Sequence, residues 1–132
     1  MDMNLDLIKS YIRRMTIGAG SAASDPFADI TLFDPDIRAM QVAAEAAGDL
    51  NWLRLSMDAL IADPKGRIGR FVEQGYPYSE AEMVTLFTYA YGKIWPEATI
   101  SAPGEEARLN FVEMSEAAWA AVKNPDDGDD LF

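Results

Sequence analysis

The sequence predicts an all-α fold, a compact bundle of five or six helices followed by a flexible acidic C-terminal tail. Apolar residues recur at helical spacing in several stretches, and helix-starting and helix-stopping residues bracket those stretches. No set of segments alternates long enough to build a sheet. At 132 residues the chain has the length of one domain, assigned here to residues 1–123, with the tail at 124–132. A chain of this size buries roughly two thirds of its unfolded surface, enough for a core without covalent staples.

Residues 4–15 open the chain as an amphipathic helix. Leu5, Ile8, Ile12 and Met15 share one face, acids stand near its start, and Arg13 and Arg14 near its end suit the helix dipole. Glycines, small residues and Pro26 then make 16–26 a connector. Residues 27–33, FADITLF, fit either a short strand or a helical turn. In DPDIRAMQVAAEAAGD, Asp34 reads as a cap, Pro35 as a first-turn residue and Gly48 as the stop. Ile37, Met40, Ala44 and Ala47 form its narrow apolar face.

The next stretch, LNWLRLSMDALIAD, carries too many apolar residues for one stripe, which predicts a central helix packed on several sides. Asp63-Pro64 starts a short element closed by Gly75. Ser79 and Glu82 make a capping box for a helix with Met83, Leu86, Phe87, Ala90, Tyr91 and Ile94 on one face, ended by Pro96. A last helix is expected over 103–123, with Ala107, Phe111, Met114, Ala118 and Val122 together and Asn124-Pro125 as its stop.

Composition narrows the function classes. The chain has no cysteine and no histidine, which removes Ser-His-Asp and Cys-His nucleophiles and metals ligated by those residues. No cofactor is expected and the chain is read as not an enzyme. Twenty-two acidic against eleven basic side chains give a net charge of −11. That disfavours direct nucleic-acid contact and anionic membranes, and favours a basic protein partner. The N-terminus lacks a signal-peptide pattern and no apolar run is long enough to span a bilayer, so cytoplasmic residence is expected. Composition leaves the oligomeric state open.

Four local patterns bear on chemistry. GAGSAAS at 18–24 lacks the Lys and Ser/Thr of a phosphate loop and reads as linker. DPD at 34–36 reads as cap and first-turn acid rather than metal pair. DDGDD in the tail is too short for a calcium loop, which needs about twelve positions. Lys65, Arg67 and Arg70 in KGRIGR form a basic cluster that can meet internal acids, the tail among them.

Residues 71–95 hold half of the aromatic residues. Tyr76 and Tyr78 fall in an expected loop, and Tyr89 lies off the core face of its helix. These three are candidate partner-binding residues, because exposed aromatics in a polar rim suit protein recognition. The tail supplies the others: Asp126, Asp127, Asp129 and Asp130 to steer approach, and Leu131 and Phe132 to enter an apolar pocket.

The stretch DDGDDLF resembles the acidic C-terminal tail of bacterial single-stranded-DNA-binding proteins, which ends on Phe and recruits replication and repair partners. Its Leu-Phe end is similar to that of sliding-clamp-binding peptides, without their glutamine. The resemblance covers these seven residues alone and implies a recruitment role for the tip.

The expected function is therefore a non-catalytic acidic protein-binding module acting on a basic partner, with nucleic-acid-binding proteins among the candidates. Inhibitors, immunity proteins and phage or mobile-element accessory proteins are concrete forms. One alternative is a recruitment adaptor using the Leu-Phe tip. Another is a small enzyme or enzyme subunit using carboxylate or Tyr chemistry.

Overall fold

The computed structural model describes residues 2–16, 28–64, 67–71 and 79–123. Among these the chain is mostly helical, with one small strand pair. Strand β1 (Asp2–Asn4) runs directly into helix α1 (Leu5–Thr16), and a 3₁₀ turn (Ile30–Phe33) leads into α2 (Asp34–Ala47). Helix α3 (Leu50–Ala62), a second 3₁₀ turn (Ile68–Phe71), α4 (Glu80–Ile94), β2 (Asn110–Val112) and α5 (Glu116–Lys123) follow.

The first four helices follow their sequence signals. In α1, Ile8, Ile12 and Met15 are buried as their spacing predicts, and Tyr11 joins them. Asn4 starts the helix, its side-chain oxygen accepting from the Leu7 N–H at 3.1 Å. Helix α2 buries Ile37, Met40 and Ala44, and Ala47 is exposed. Gly48 ends it at φ 75°, donating to the Ala44 and Glu45 carbonyls. Helix α3 is central, packing on α1, α2 and α4. In α4 all six expected face residues are buried, and Ser79 and Glu82 form the reciprocal capping box. Residues 30–33 resolve as a 3₁₀ turn, the helical option for that stretch.

Three expectations need correction. Asp34 is not a helix cap: it lies inside the first turn of α2, and Phe33 occupies the cap position without a side-chain bond. The all-α expectation holds broadly and needs one addition, a small strand pair. The helix expected over 103–123 is only its last third. Gly104 sits at φ 91°, a left-handed conformation that breaks a helix. Residues 108–112 then alternate exposed and buried, with Leu109 and Phe111 inward, which is strand periodicity. Consequently Ala107 and Ala118 are exposed, Met114 and Val122 half-buried, and Trp119 is the buried residue of α5.

β1 and β2 pair in parallel, with Asp2 opposite Asn110, Met3 opposite Phe111 and Asn4 opposite Val112. The pairing ties the first described residues to the C-terminal third of the chain. Met3 is fully buried, and Phe111 packs edge-on against Phe71 at 5.0 Å between centroids. Arg70 Nη2 donates to the Phe111 carbonyl at 3.1 Å, which ties β2 to the second 3₁₀ turn.

Candidate binding surface

After α4 the chain runs from Trp95 to Leu109 without helix or strand, then through β2 and α5. This C-terminal segment is fastened to the helical body at separate points. Tyr91 donates its hydroxyl to the Thr99 carbonyl at 3.2 Å. Asp58, buried in α3, accepts from the Ser101 N–H at 2.7 Å and the Ser101 hydroxyl at 2.6 Å. Both of its carboxylate oxygens are thereby satisfied, as a buried charge requires.

The last fastening is a buried ionic cluster. Asp49, 2 % exposed, takes a hydrogen bond from Tyr11 Oη at 2.5 Å and one from Lys123 Nζ at 2.8 Å. Asp49 holds the N-cap position of α3 but caps nothing, because both oxygens are engaged elsewhere. Its place at the positive end of α3 still favours the charge. Burial, followed by the Asp49 hydrogen bond and charge, holds the Tyr11 phenol well above its ordinary range. Trp119, one turn before Lys123, meets Trp52 edge-on at 5.6 Å.

A second polar cluster joins α2 and α4. Tyr89 donates to Asp34 Oδ1 at 2.6 Å, and Lys93 lies 3.7 Å from Asp34 Oδ2 and 5.5 Å from the Tyr89 ring. The hydrogen bond to Asp34 raises the Tyr89 pKa. Tyr89 is half-buried, so its hydroxyl serves the α2–α4 contact rather than projecting free.

A cleft of about 620 Å³ lies between the end of α3, the Arg67 turn and residues 103–110. Asp63, Glu106, Arg67 and Arg108 give its wall two acids and two bases. Arg67 stays 3.6 Å from Asp63 and stacks 5.4 Å from the Phe111 ring. Two members of the KGRIGR cluster thus have internal partners, Arg67 on Asp63 and Arg70 on Phe111, and Lys65 lies outside the described residues. Among the described residues no group of three Asp or Glu side chains is placed to hold a metal ion.

Of the sequence-predicted site residues, Tyr76, Tyr78, Asp126, Asp127, Asp129, Asp130, Leu131 and Phe132 lie outside the described residues, as does GAGSAAS. Tyr89 is the one whose surroundings are described. Sequence reasoning missed Tyr11, Asp49, Asp58, Ser101 and Lys123. Their partners stand 38 to 74 positions away, so no local spacing marks them.

Charge is distributed unevenly. Residues 97–132 carry nine acidic and two basic side chains, which accounts for seven of the eleven net negative charges. Glu97, Glu105, Glu113 and Glu116 are exposed and form no ion pair among the described residues. No family model, no curated protein and no solved structure matches the chain.

Proposed function

We propose that this chain is a non-catalytic acidic binding protein whose C-terminal third recognises a basic protein partner. One observation carries the reading: among the described residues four bases are held by partners within the molecule, while Glu97, Glu105, Glu113 and Glu116 form no ion pair. Lys123 is held by Asp49, Lys93 by Asp34, Arg67 by Asp63 and Arg70 by a backbone carbonyl. The four exposed glutamates therefore keep their field, and such a field speeds encounter with an opposite charge and weakens with salt. An inhibitor, immunity or phage accessory protein covering a nucleic-acid-binding surface fits this reading, its carboxylates standing where phosphates would lie.

Replacing Glu97, Glu105, Glu113 and Glu116 with glutamine keeps their size and removes four charges. In affinity capture from a host lysate at low salt, the native chain should retain a basic protein that the glutamine variant loses. Equal capture by both would remove the glutamates from recognition. A chain ending at Asn124 separates the alternative reading, in which DDGDDLF alone recruits the partner. Loss of capture by that truncation with the glutamates intact favours the tip.

A further inference from the structure

Helix α5 is eight residues long and buries only Trp119. A helix standing alone in water needs on the order of 12–15 residues, so α5 is helical because its groove holds it. Ser115 caps it, accepting from the Ala118 N–H at 3.1 Å. The groove itself makes two demands. Trp52 takes an aromatic edge, at 5.6 Å from the Trp119 centroid. Asp49, 2 % exposed, takes a cation at 2.8 Å, its other oxygen being occupied by Tyr11. Trp119 and Lys123 are four residues apart and so share one helix face.

The fit has one flaw. Trp119 Nε1 is buried and has no acceptor among the described residues. A stranded donor of this kind weakens the contact that buries it.

We propose that this groove is a receptor for a short helix bearing an aromatic residue and, one turn later, a cation, with α5 as its resident occupant. A helix of that pattern from a basic partner displaces α5. The inference rests on the reading of the chain as a binder of a basic protein, and it names the element of that partner which is recognised. The selectivity follows from Asp49. With α5 gone, the Asp49 carboxylate keeps the Tyr11 hydrogen bond on one oxygen and lacks a counter-charge on the other, which favours an incoming Lys or Arg over a neutral residue. The tether gives α5 an effective concentration on the order of millimolar, so a free competitor must overcome that advantage.

The test uses a labelled peptide of residues 114–123, MSEAAWAAVK, added to the full chain and to the full-chain variant Trp119→Ala/Lys123→Ala. Fluorescence anisotropy should show the variant binding the peptide at least about tenfold tighter than the native chain, because its own helix no longer competes. A peptide with alanine for the lysine, or for the tryptophan, should lose this binding. Phenylalanine for the tryptophan removes the stranded donor and should bind at least as tightly as the parent. Equal binding to native chain and variant, or none to the variant, overturns the proposal whether or not a basic protein is captured from a lysate. If the variant does not fold, hydrogen exchange of the native chain decides. Amides of α5 should exchange well ahead of those of α4, and equal protection overturns the proposal.

Discussion

Truncating Phe111 to alanine should cost about 3 kcal/mol. Removal of a buried aromatic side chain costs about 3–5 kcal/mol, set by how far the surroundings close over the gap. Phe111 is 6 % exposed, and it packs on Phe71 while its own strand holds Met3 in register. The lower end applies because neighbouring Leu109 and Asn110 line the open cleft, which leaves room to relax. Arg67 keeps Asp63, so loss of its contact with the ring adds at most about 1 kcal/mol. Urea unfolding followed by circular dichroism should show the midpoint falling by about 1.5–2 M at an unchanged slope. In a thermal melt the same loss corresponds to roughly 10–15 °C. Val112→Ala is the control: its side chain faces outward and 37 % of the residue is exposed, so the change should stay within about 0.5 kcal/mol. A Phe111→Ala cost below about 1 kcal/mol, or an equal cost at Val112, would refute the strand and its register.

Other outcomes follow from the same packing. Ala118→Glu should leave the urea midpoint nearly unchanged because Ala118 is exposed, whereas Ala90→Glu, at a fully buried position, should abolish the cooperative transition. Ser79→Ala removes the acceptor of the Glu82 N–H and should lower stability by about 1 kcal/mol in the same assay. Gly48→Ala meets no atom within 4 Å, so its cost should be the backbone term alone, about 1–2 kcal/mol at φ 75°. Tyr11 gives a pH dependence. Its pKa is raised in the folded state, so the unfolded chain loses this proton first as pH rises through about 10, and the stabilisation present below that pH declines. Urea midpoints of the native chain should fall faster from pH 9 to 11 than those of Tyr11→Phe, and parallel curves would contradict the Tyr11–Asp49 geometry.

Local signals in the sequence carried the helices that stand on them. The Ser79–Glu82 box and Pro96 bracket α4, and Gly48 ends α2, because each device acts within a few residues of itself. The C-terminal third was less legible. Phe111, Met114, Ala118 and Val122 fit a helical period, yet Arg108 to Val112 also alternate, and a five-residue stretch supports both readings. Tertiary contact decided between them: β1 supplies the pairing and Phe71 the packing, and neither lies near residue 111 in sequence. Asp34 shows the same limit. Its position before Pro35 reads as a cap, but Tyr89 and Lys93, 55 and 59 positions on, claim its carboxylate. The Tyr11–Asp49–Lys123 cluster left no sequence trace, since its three residues come from α1, the α2–α3 junction and α5. Net charge and its concentration in residues 97–132 were legible from the sequence, whereas the lack of ion pairs at Glu97, Glu105, Glu113 and Glu116 among the described residues became visible only in the structure.

The most direct test of the proposed function is the salt dependence of association with a captured partner. Stopped-flow measurement on the native chain should give an on-rate that falls at least about tenfold from low to moderate ionic strength, with a shallower fall for the variant carrying glutamine at 97, 105, 113 and 116. An on-rate flat with salt, or the same slope for both proteins, would contradict recognition through the acidic C-terminal third.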